Sequence, residues 1–272
     1  GNAKNYFQDF TMFKVKPLQV TGLLDNATLN TENVVVNSTS AVQQISNLKD
    51  YEIVTIKKED NFNKLAQSYF QSSKNLIVLI DTSFSKAFKR LQWFTTREKF
   101  EMPVTQVFIL TVNTNPTSIQ LEIKNEVTKQ DLKNVVAVLP GKSKKDEYVV
   151  FGGHYDHLGI GRPDKNMDSI YNGANDDAAG TTAVMMLANY FSKLKNNERT
   201  LIFVAFTAEE VGGFGSRFFS KQLPPEKVVA MFNIEMIGTE SKWGKDSAYI
   251  KKKKKSDFGT ILQGNLKGTN FN

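Results

Sequence analysis

Four short segments carry residue types able to hold and use a divalent cation: Gly153-His-Tyr-Asp-His157, Gly173-Ala-Asn-Asp-Asp-Ala-Ala-Gly180, Thr207-Ala-Glu-Glu210 and Asn233-Ile-Glu-Met-Ile-Gly238. Hard and borderline divalent ions take imidazole nitrogen and carboxylate oxygen, which is what these segments offer. His154 can supply nitrogen. Asp156, two residues on, shares its side of an extended segment, so its carboxylate can accept the other imidazole N–H and fix the tautomer. Asp176 sits where a turn enters a helix, and its two oxygens can bridge two ions. Glu209 and Glu210 diverge on an extended chain end. One can ligate while the other takes a proton from a metal-activated water. Taken singly, each has a plainer reading. His154 is then a surface or satisfied core histidine, Asp176-Asp177 a helix N-cap pair, and Glu209-Glu210 first-turn helix charges. Glu235 is harder to dismiss, because an acid within Met231-Phe-Asn-Ile-Glu-Met-Ile237 is costly to bury without a cation or a proton. The four together, in this order, favour a hydrolytic metal site.

From about residue 133 to 240 the chain resembles the di-zinc aminopeptidases of metallopeptidase family twenty-eight. The motifs that carry the resemblance are Gly-Gly-His-Tyr-Asp-His at 152–157, Gly-Ala-Asn-Asp-Asp-Ala-Ala-Gly at 173–180, Phe-Thr-Ala-Glu-Glu-Val-Gly at 206–212 and Asn-Ile-Glu-Met-Ile-Gly at 233–238. The resemblance implies that His154 binds one zinc, Asp176 bridges both and Glu210 binds the other. It makes Glu209 the general base and later general acid, and Asp156 the carboxylate behind His154. Glu235 stands where most members have aspartate and would complete the shell of the first zinc, one methylene further out. Asp177 and His157 match the motif neighbourhood and receive no ligand role.

The implied reaction is hydrolysis of the peptide bond next to a free amino terminus. Two zinc ions roughly 3.5–4 Å apart would share a water whose pKa falls toward about 7. Glu209 takes its proton and returns it to the leaving amine, while site carboxylates hold the substrate ammonium. The family also needs a histidine from far downstream on the second zinc, and this sequence has none after His157. The favoured reading is a chain truncated at its C-terminus, with two zinc ions in a complete protein and one or none here. The alternative is a catalytically degenerate peptidase-fold binding protein. A glutaminyl-cyclase-like single-zinc enzyme is disfavoured by the Asn233–Gly238 motif and the intact Glu209-Glu210 pair.

The elements that must position these groups are readable from patterning. Val34–Val36, Ile53–Ile56, Asn75–Ile80 and Val107–Leu110 read as strands, and Asn61–Gln71 as a helix with Phe62, Leu65, Ala66 and Tyr69 on one face. Residues 31–112 are thus expected to form a small α/β insert, resembling a shortened protease-associated insert. Residues 1–30 would be an N-terminal segment of the peptidase unit, and 113–272 the peptidase domain. Within the latter, Ser118–Lys124, Asn134–Leu139, Tyr148–Gly152, Thr200–Phe206 and Val228–Met236 read as strands. A hairpin-like turn at Pro140–Asp146 would join the second and third of them. Ala178–Leu194, Gly213–Lys221 and Ser256–Leu266 read as helices, and Met185-Met186 as core packing. Helices alternating with uninterrupted apolar strands imply an α/β fold with a mixed, mainly parallel sheet flanked by helices, zinc aminopeptidase-like. Sites in such sheets gather at strand carboxyl ends.

Composition narrows the partners. The 272 residues include no cysteine, which excludes disulfides, thiolate metal sites and a cysteine nucleophile. No Gly-x-Ser-x-Gly elbow occurs, since Gly213-Phe-Gly-Ser-Arg217 lacks the last glycine. The net charge is +7, and removing the five lysines Lys251–Lys255 leaves +2, so the basic excess is local and no nucleic-acid partner is expected. Peptide substrates are expected and no transmembrane segment is visible. The chain opens at Gly1, as a processed or recombinant product would. Secretion, or a periplasmic or cell-envelope location, is what the resemblance implies.

Overall fold

The computed structural model describes residues 6–242, 244, 247, 249, 250 and 257–269. The lysine run Lys251–Lys255 lies outside the described residues, as does Ser256, the first residue of an expected helix. The chain forms two compact units, one of residues 1–10 and 132–272, the other of 11–131. Two long strands, β1 (Phe7–Leu24) and β8 (Ile119–Leu139), each give residues to both units.

Residues 11–131 build an α/β unit wider than the 31–112 segment expected, because β1 and β8 carry buried residues well outside those bounds. After β1 follow β2 (Ala27–Asn30), β3 (Val34–Asn37), β4 (Val42–Ile45), β5 (Glu52–Ile56), α1 (Phe62–Phe70), β6 (Leu76–Ile80), α2 (Ser85–Thr95) and β7 (Gln106–Leu110). A four-stranded sheet runs β3-β7-β6-β5, parallel except at β3. The continuous apolar run of β6 is buried along its whole length, as expected for a strand covered on both faces. Phe62 and Ala66 of α1 and Phe88 and Leu91 of α2 pack on one face with Val78, Ile80 and Phe108. Val20 and Leu24 of β1 and Ile119, Leu121 and Ile123 of β8 close the other against Ile77, Leu79, Val107 and Ile109.

The second unit continues with β9 (Lys144–His154), β10 (Gly159–Ile160), β11 (Ile170–Tyr171), α3 (Ala179–Leu194), β12 (Arg199–Phe206), α4 (Phe214–Ser220), β13 (Val228–Asn233) and α5 (Phe258–Asn265). Its strands lie in the order β13-β9-β12-β8, parallel from β13 through β9 to β12 and antiparallel between β12 and β8. The expected hairpin at Pro140–Asp146 does not form. β8 and β9 are consecutive, but β12 lies between them and pairs with both. Its run Leu201-Ile-Phe-Val-Ala-Phe206 is apolar on both sides and takes the interior position. The period of two then sorts that run onto two faces. Leu201 and Phe203 join Phe151, Val184 and Phe191 on the α3 side, whereas Ile202, Val204 and Phe206 join Val150 and Phe219 on the α4 side. Phe203, Phe151 and Phe232 are in register across the three parallel strands, with ring centroids 5.5 and 5.0 Å apart. This registry brings the strand ends to one level: Phe206 lies beside His154, and Asn233 beside Gly152. Met185 and Met186 are not core residues. Both are 67% exposed, because the buried stripe of α3 runs through Gly180 and Val184 and leaves them on the outer side.

Candidate metal centre

His154 is the last residue of β9 and is 3% exposed. Its main-chain N–H donates to Asp177 Oδ2 at 3.1 Å, and its carbonyl accepts from the Thr181 hydroxyl at 2.7 Å. On the ring, Nδ1 lies 2.9 Å from the carbonyl oxygen of Asp156 and Nε2 lies 3.0 Å from Asp176 Oδ1. A carbonyl can only accept, so Nδ1 carries a proton and Nε2 is the atom left for a cation. Burial opposes a charge on this ring. The Asp156 carbonyl and the charges of Asp177, Glu209 and Asp156 outweigh it and hold the imidazole above its ordinary range. The same negative surroundings that favour a proton favour a metal ion in its place.

Asp176 and Asp177 occupy a wide turn, Ala174–Ala178, entered through Gly173 at φ 66°. Both have non-helical dihedrals and the peptide between them is cis. Their side chains do different work. Asp176 faces the His154 ring. Asp177 is 2% exposed and accepts three main-chain N–H groups, from His154, Gly180 and Met236. It therefore ties the end of β9, the start of α3 and the loop after β13 to one carboxylate. Burial pushes it above the usual carboxylate range, offset in part by those bonds. Gly180 has no room for a side chain there: a Cβ would sit 2.0 Å from the Ile234 carbonyl oxygen and 2.4 Å from Asp177 Oδ1.

Beyond β12 the chain turns sharply at Ala208, buried with φ 54°. Phe214 N–H donates back to the Ala208 carbonyl, and the N–H groups of Gly212 and Gly213 donate to that of Glu209. Gly212 and Gly213 have φ of 125° and 65°, so they open the path into α4. Asn134 on β8, fully buried, holds the same corner, accepting from Thr207 N–H and donating to the Gly215 carbonyl. Asp156 proves to have another task than the one expected. Its carboxylate accepts the main-chain N–H of Glu209 at 3.1 Å and of Glu210 at 3.3 Å, and stands 3.8 Å from His154 Nδ1. Its backbone carbonyl, nearer to the ring, takes the bond that the side chain was expected to make. Asp156 thus orients the glutamate pair and the imidazole with separate groups.

Glu209 is partly exposed. Desolvation raises its carboxyl above the usual glutamate range; His154 pulls it down, and Glu235, Glu210 and Asp156 push it further up. Glu210 receives His157, whose Nδ1 lies 2.7 Å from Glu210 Oε1. Glu235 is a correction of a different kind. It lies past the end of β13, half-buried rather than inside an apolar strand, and accepts a bond from the Asn233 side chain. Glu235 is therefore not an acid buried in a strand, since the strand closes at Asn233. The loop that presents Glu235 is pinned by Asp177 at Met236 and by the Asn175 side chain, which accepts from Gly238 N–H at 2.8 Å.

Among the described residues, two sets of ligand atoms each lie within 4.8 Å of one another: His154, Glu209 and Glu210, and His157, Asp176 and Glu210. Imidazole nitrogen with carboxylate oxygen suits zinc. Of the expected ligands, His154, Asp176 and Glu210 are gathered, while Glu235 joins neither set and reaches the site through its charge on Glu209. Sequence reasoning missed His157, Asp177 and Asn134. The motif neighbourhood contained the first two. Asn134 offered only its polarity at the head of an apolar run.

Residues 134–268 match the family model described as Peptidase family M28. Among curated proteins, a "Probable zinc metalloprotease" of Pyrenophora teres f. teres (strain 0-1) is 34% identical over 110 residues, which are 40% of this chain and 23% of that protein. A "Vacuolar membrane protease" of Schizosaccharomyces pombe (strain 972 / ATCC 24843) is 27% identical over 161 residues, 58% of this chain and 18% of that protein. The chain thus spans about a quarter or less of the length of these relatives. Among solved structures, a zinc aminopeptidase from Bacillus subtilis aligns over 99% of this chain and 68% of its own at 15% identity and a TM-score of 0.46. An aminopeptidase from Aneurinibacillus sp. strain AM-1 aligns over 88% and 61% at 20% identity and a TM-score of 0.40.

Proposed function

Residues 134–268 belong to peptidase family M28, and on that premise we propose that this chain carries the site of a zinc-dependent aminopeptidase. The observation that carries the reading is the approach of His154 Nε2 to Asp176 Oδ1 at 3.0 Å, with Glu209 and Glu210 brought to the same place by the neighbouring parallel strand. His154, Asp176 and Glu210 would hold zinc, while Glu235, on the loop after β13, adds negative charge beside Glu209. Zinc, when bound, supplies a Lewis acid for the scissile carbonyl and acidifies water.

The remaining work falls to the chain's own groups. Glu209 accepts the proton of the attacking water at its carboxylate and returns it to the leaving amine. Asp156 holds the main chain of Glu209 and Glu210, so the base is aimed by two hydrogen bonds. The excess of carboxylates over imidazoles leaves negative charge for the ammonium of a peptide's first residue.

Glu209→Gln keeps the shape and removes the base. In the zinc-loaded protein it should lower kcat on a leucine chromogenic amide by about 10²–10⁴-fold, with zinc still bound. Undiminished turnover would overturn the mechanism. Zinc binding without turnover in a full-length product would favour the binding-protein reading instead.

A further inference from the structure

In the unit of residues 11–131, α2 shows two contrasting faces. Phe88, Leu91 and Thr95, spaced three and four apart, are its buried side, and the first two pack on the four-stranded sheet. Lys86, Lys89, Arg90, Trp93 and Phe94, with Arg97 just past the helix end, recur at i, i+3, i+4, i+7, i+8 and i+11 and are all exposed. Trp93 is 56% and Phe94 49% exposed. These rings are placed, not scattered. They meet edge to face at 5.2 Å, and the Arg97 guanidinium lies 3.6 Å from the Trp93 ring centroid. Phe94 stands 6.4 Å from Phe70 of α1, which stacks at 4.4 Å on the buried Phe108. The exposed aromatic pair is thus continuous with the core beneath it.

The charge on this face has one sign. No acidic residue occurs in α2, and Lys86, Lys89 and Arg90 make no ion pair among the described residues. Glu98, beside Arg97, is paired with Lys14 at 3.2 Å. Helix stability does not account for the pattern. Lys86 lies in the first turn, where an acid would complement the helix dipole, and the N-terminus has no side-chain cap. We propose that this face of α2 docks on an anionic lipid surface, with the cations meeting the headgroups and Trp93 and Phe94 entering the interface. Indole rings belong at headgroup depth, and long cationic stems reach outward to the headgroup charges while apolar rings sit deeper. The outer side of a single helix is convex, which suits a lipid surface better than it suits a peptide that needs a groove. The proposal is independent of the metal site.

Sedimentation of the full chain with unilamellar vesicles tests it. Phosphatidylcholine vesicles containing about 30% phosphatidylserine should carry the protein down, and pure phosphatidylcholine should not. Raising the salt from about 0.1 to about 0.5 M should release it. Lys86→Gln, Lys89→Gln and Arg90→Gln together should weaken binding about a hundredfold. Trp93→Ala with Phe94→Ala should weaken it at least about tenfold. All five side chains face solvent, so the circular dichroism and melting transition of the variants should match wild type. The sequence has two tryptophans, so in a Trp243→Phe background Trp93 is the sole indole. Its emission should shift to the blue on binding, which reports insertion in a chain whose α2 is intact. Replacing Lys251–Lys255 with glutamines should leave that shift in place. Absence of vesicle binding, binding that survives both α2 variants, loss with the lysine run alone, or an unshifted Trp93 would each overturn the assignment. Capture of soluble polyglutamate through the same cations, without vesicle binding, would assign the face to an acidic protein instead.

Discussion

At the scale of single residues, the site depends on side chains that tie main-chain groups together. Asp177 is the clearest of them, because three N–H groups from three parts of the chain end on its two oxygens. Replacing it with alanine strands those donors where they are shielded from water, and each such buried orphan costs about 1–3 kcal/mol. With partial rescue by water, Asp177→Ala should lose about 3 kcal/mol of stability in urea titration, and Asp177→Asn less. An unchanged midpoint would show that the carboxylate does not hold the site. Asp156 teaches the same lesson from the other side. Its place two residues after His154 suggested a bond to the ring, which the spacing allows. The backbone carbonyl makes that bond instead, and the carboxylate turns to the glutamate pair.

At the scale of elements, the period of two in β12 and the apolar runs of β6, β9 and β13 were legible as strands in the sequence. So were α1, α3 and α4, within one or two residues of their observed ends. What patterning could not show was adjacency. Pro140-Gly141 has the chemistry of a hairpin turn, yet β12 enters between β8 and β9 and pairs with both. A turn signal is local, while a strand's neighbour is chosen by whichever apolar face must be buried. α2 escaped notice because its helical face, Phe88 and Leu91, sits in a segment rich in charged and polar residues. In the unit of residues 11–131, Lys99 makes a further element-scale prediction. It follows α2, and its ammonium donates to Asn37 Oδ1 and the Thr95 carbonyl, each at 2.8 Å. Burial lowers its pKa to about 8. Below that pH both folded and unfolded chains carry the proton, and the burial cost is felt in full. Between about 8 and the unfolded value near 10.4, the unfolded chain holds more protons, so stability rises with pH. The urea midpoint should therefore increase from about pH 7.5 to 9.5 in wild type, and Lys99→Met should remove Lys99's share of that rise.

At the scale of the whole molecule, five of the seven net positive charges come from the lysine run, and the chemistry lies elsewhere. Metal held by groups on separate strand ends is bound by the folded chain and not by the unfolded one, so binding feeds directly into stability. At free zinc near one hundred times the dissociation constant, the gain is about 2.7 kcal/mol. Chelation should accordingly lower the melting temperature of the wild type, and should do so much less in His154→Ala. Equal shifts in both would mean that zinc is not held at His154.

Residue types and their order set the chemistry on offer: which segments carry imidazole and carboxylate, and that they lie near the ends of apolar strands. Those are local properties, set by residue type and by periods of two and 3.6. Folding selects which of those groups meet. Parallel registry of β9 with β12 puts Glu209 and Glu210 level with His154, and a wide turn aims Asp176 outward and Asp177 inward. The missing side chain of Gly173 admits His157, while the end of β13 leaves Glu235 short of both ligand sets. Distances of 3 Å between residues twenty to fifty apart in the chain arise from packing and main-chain hydrogen bonds, which no local pattern encodes.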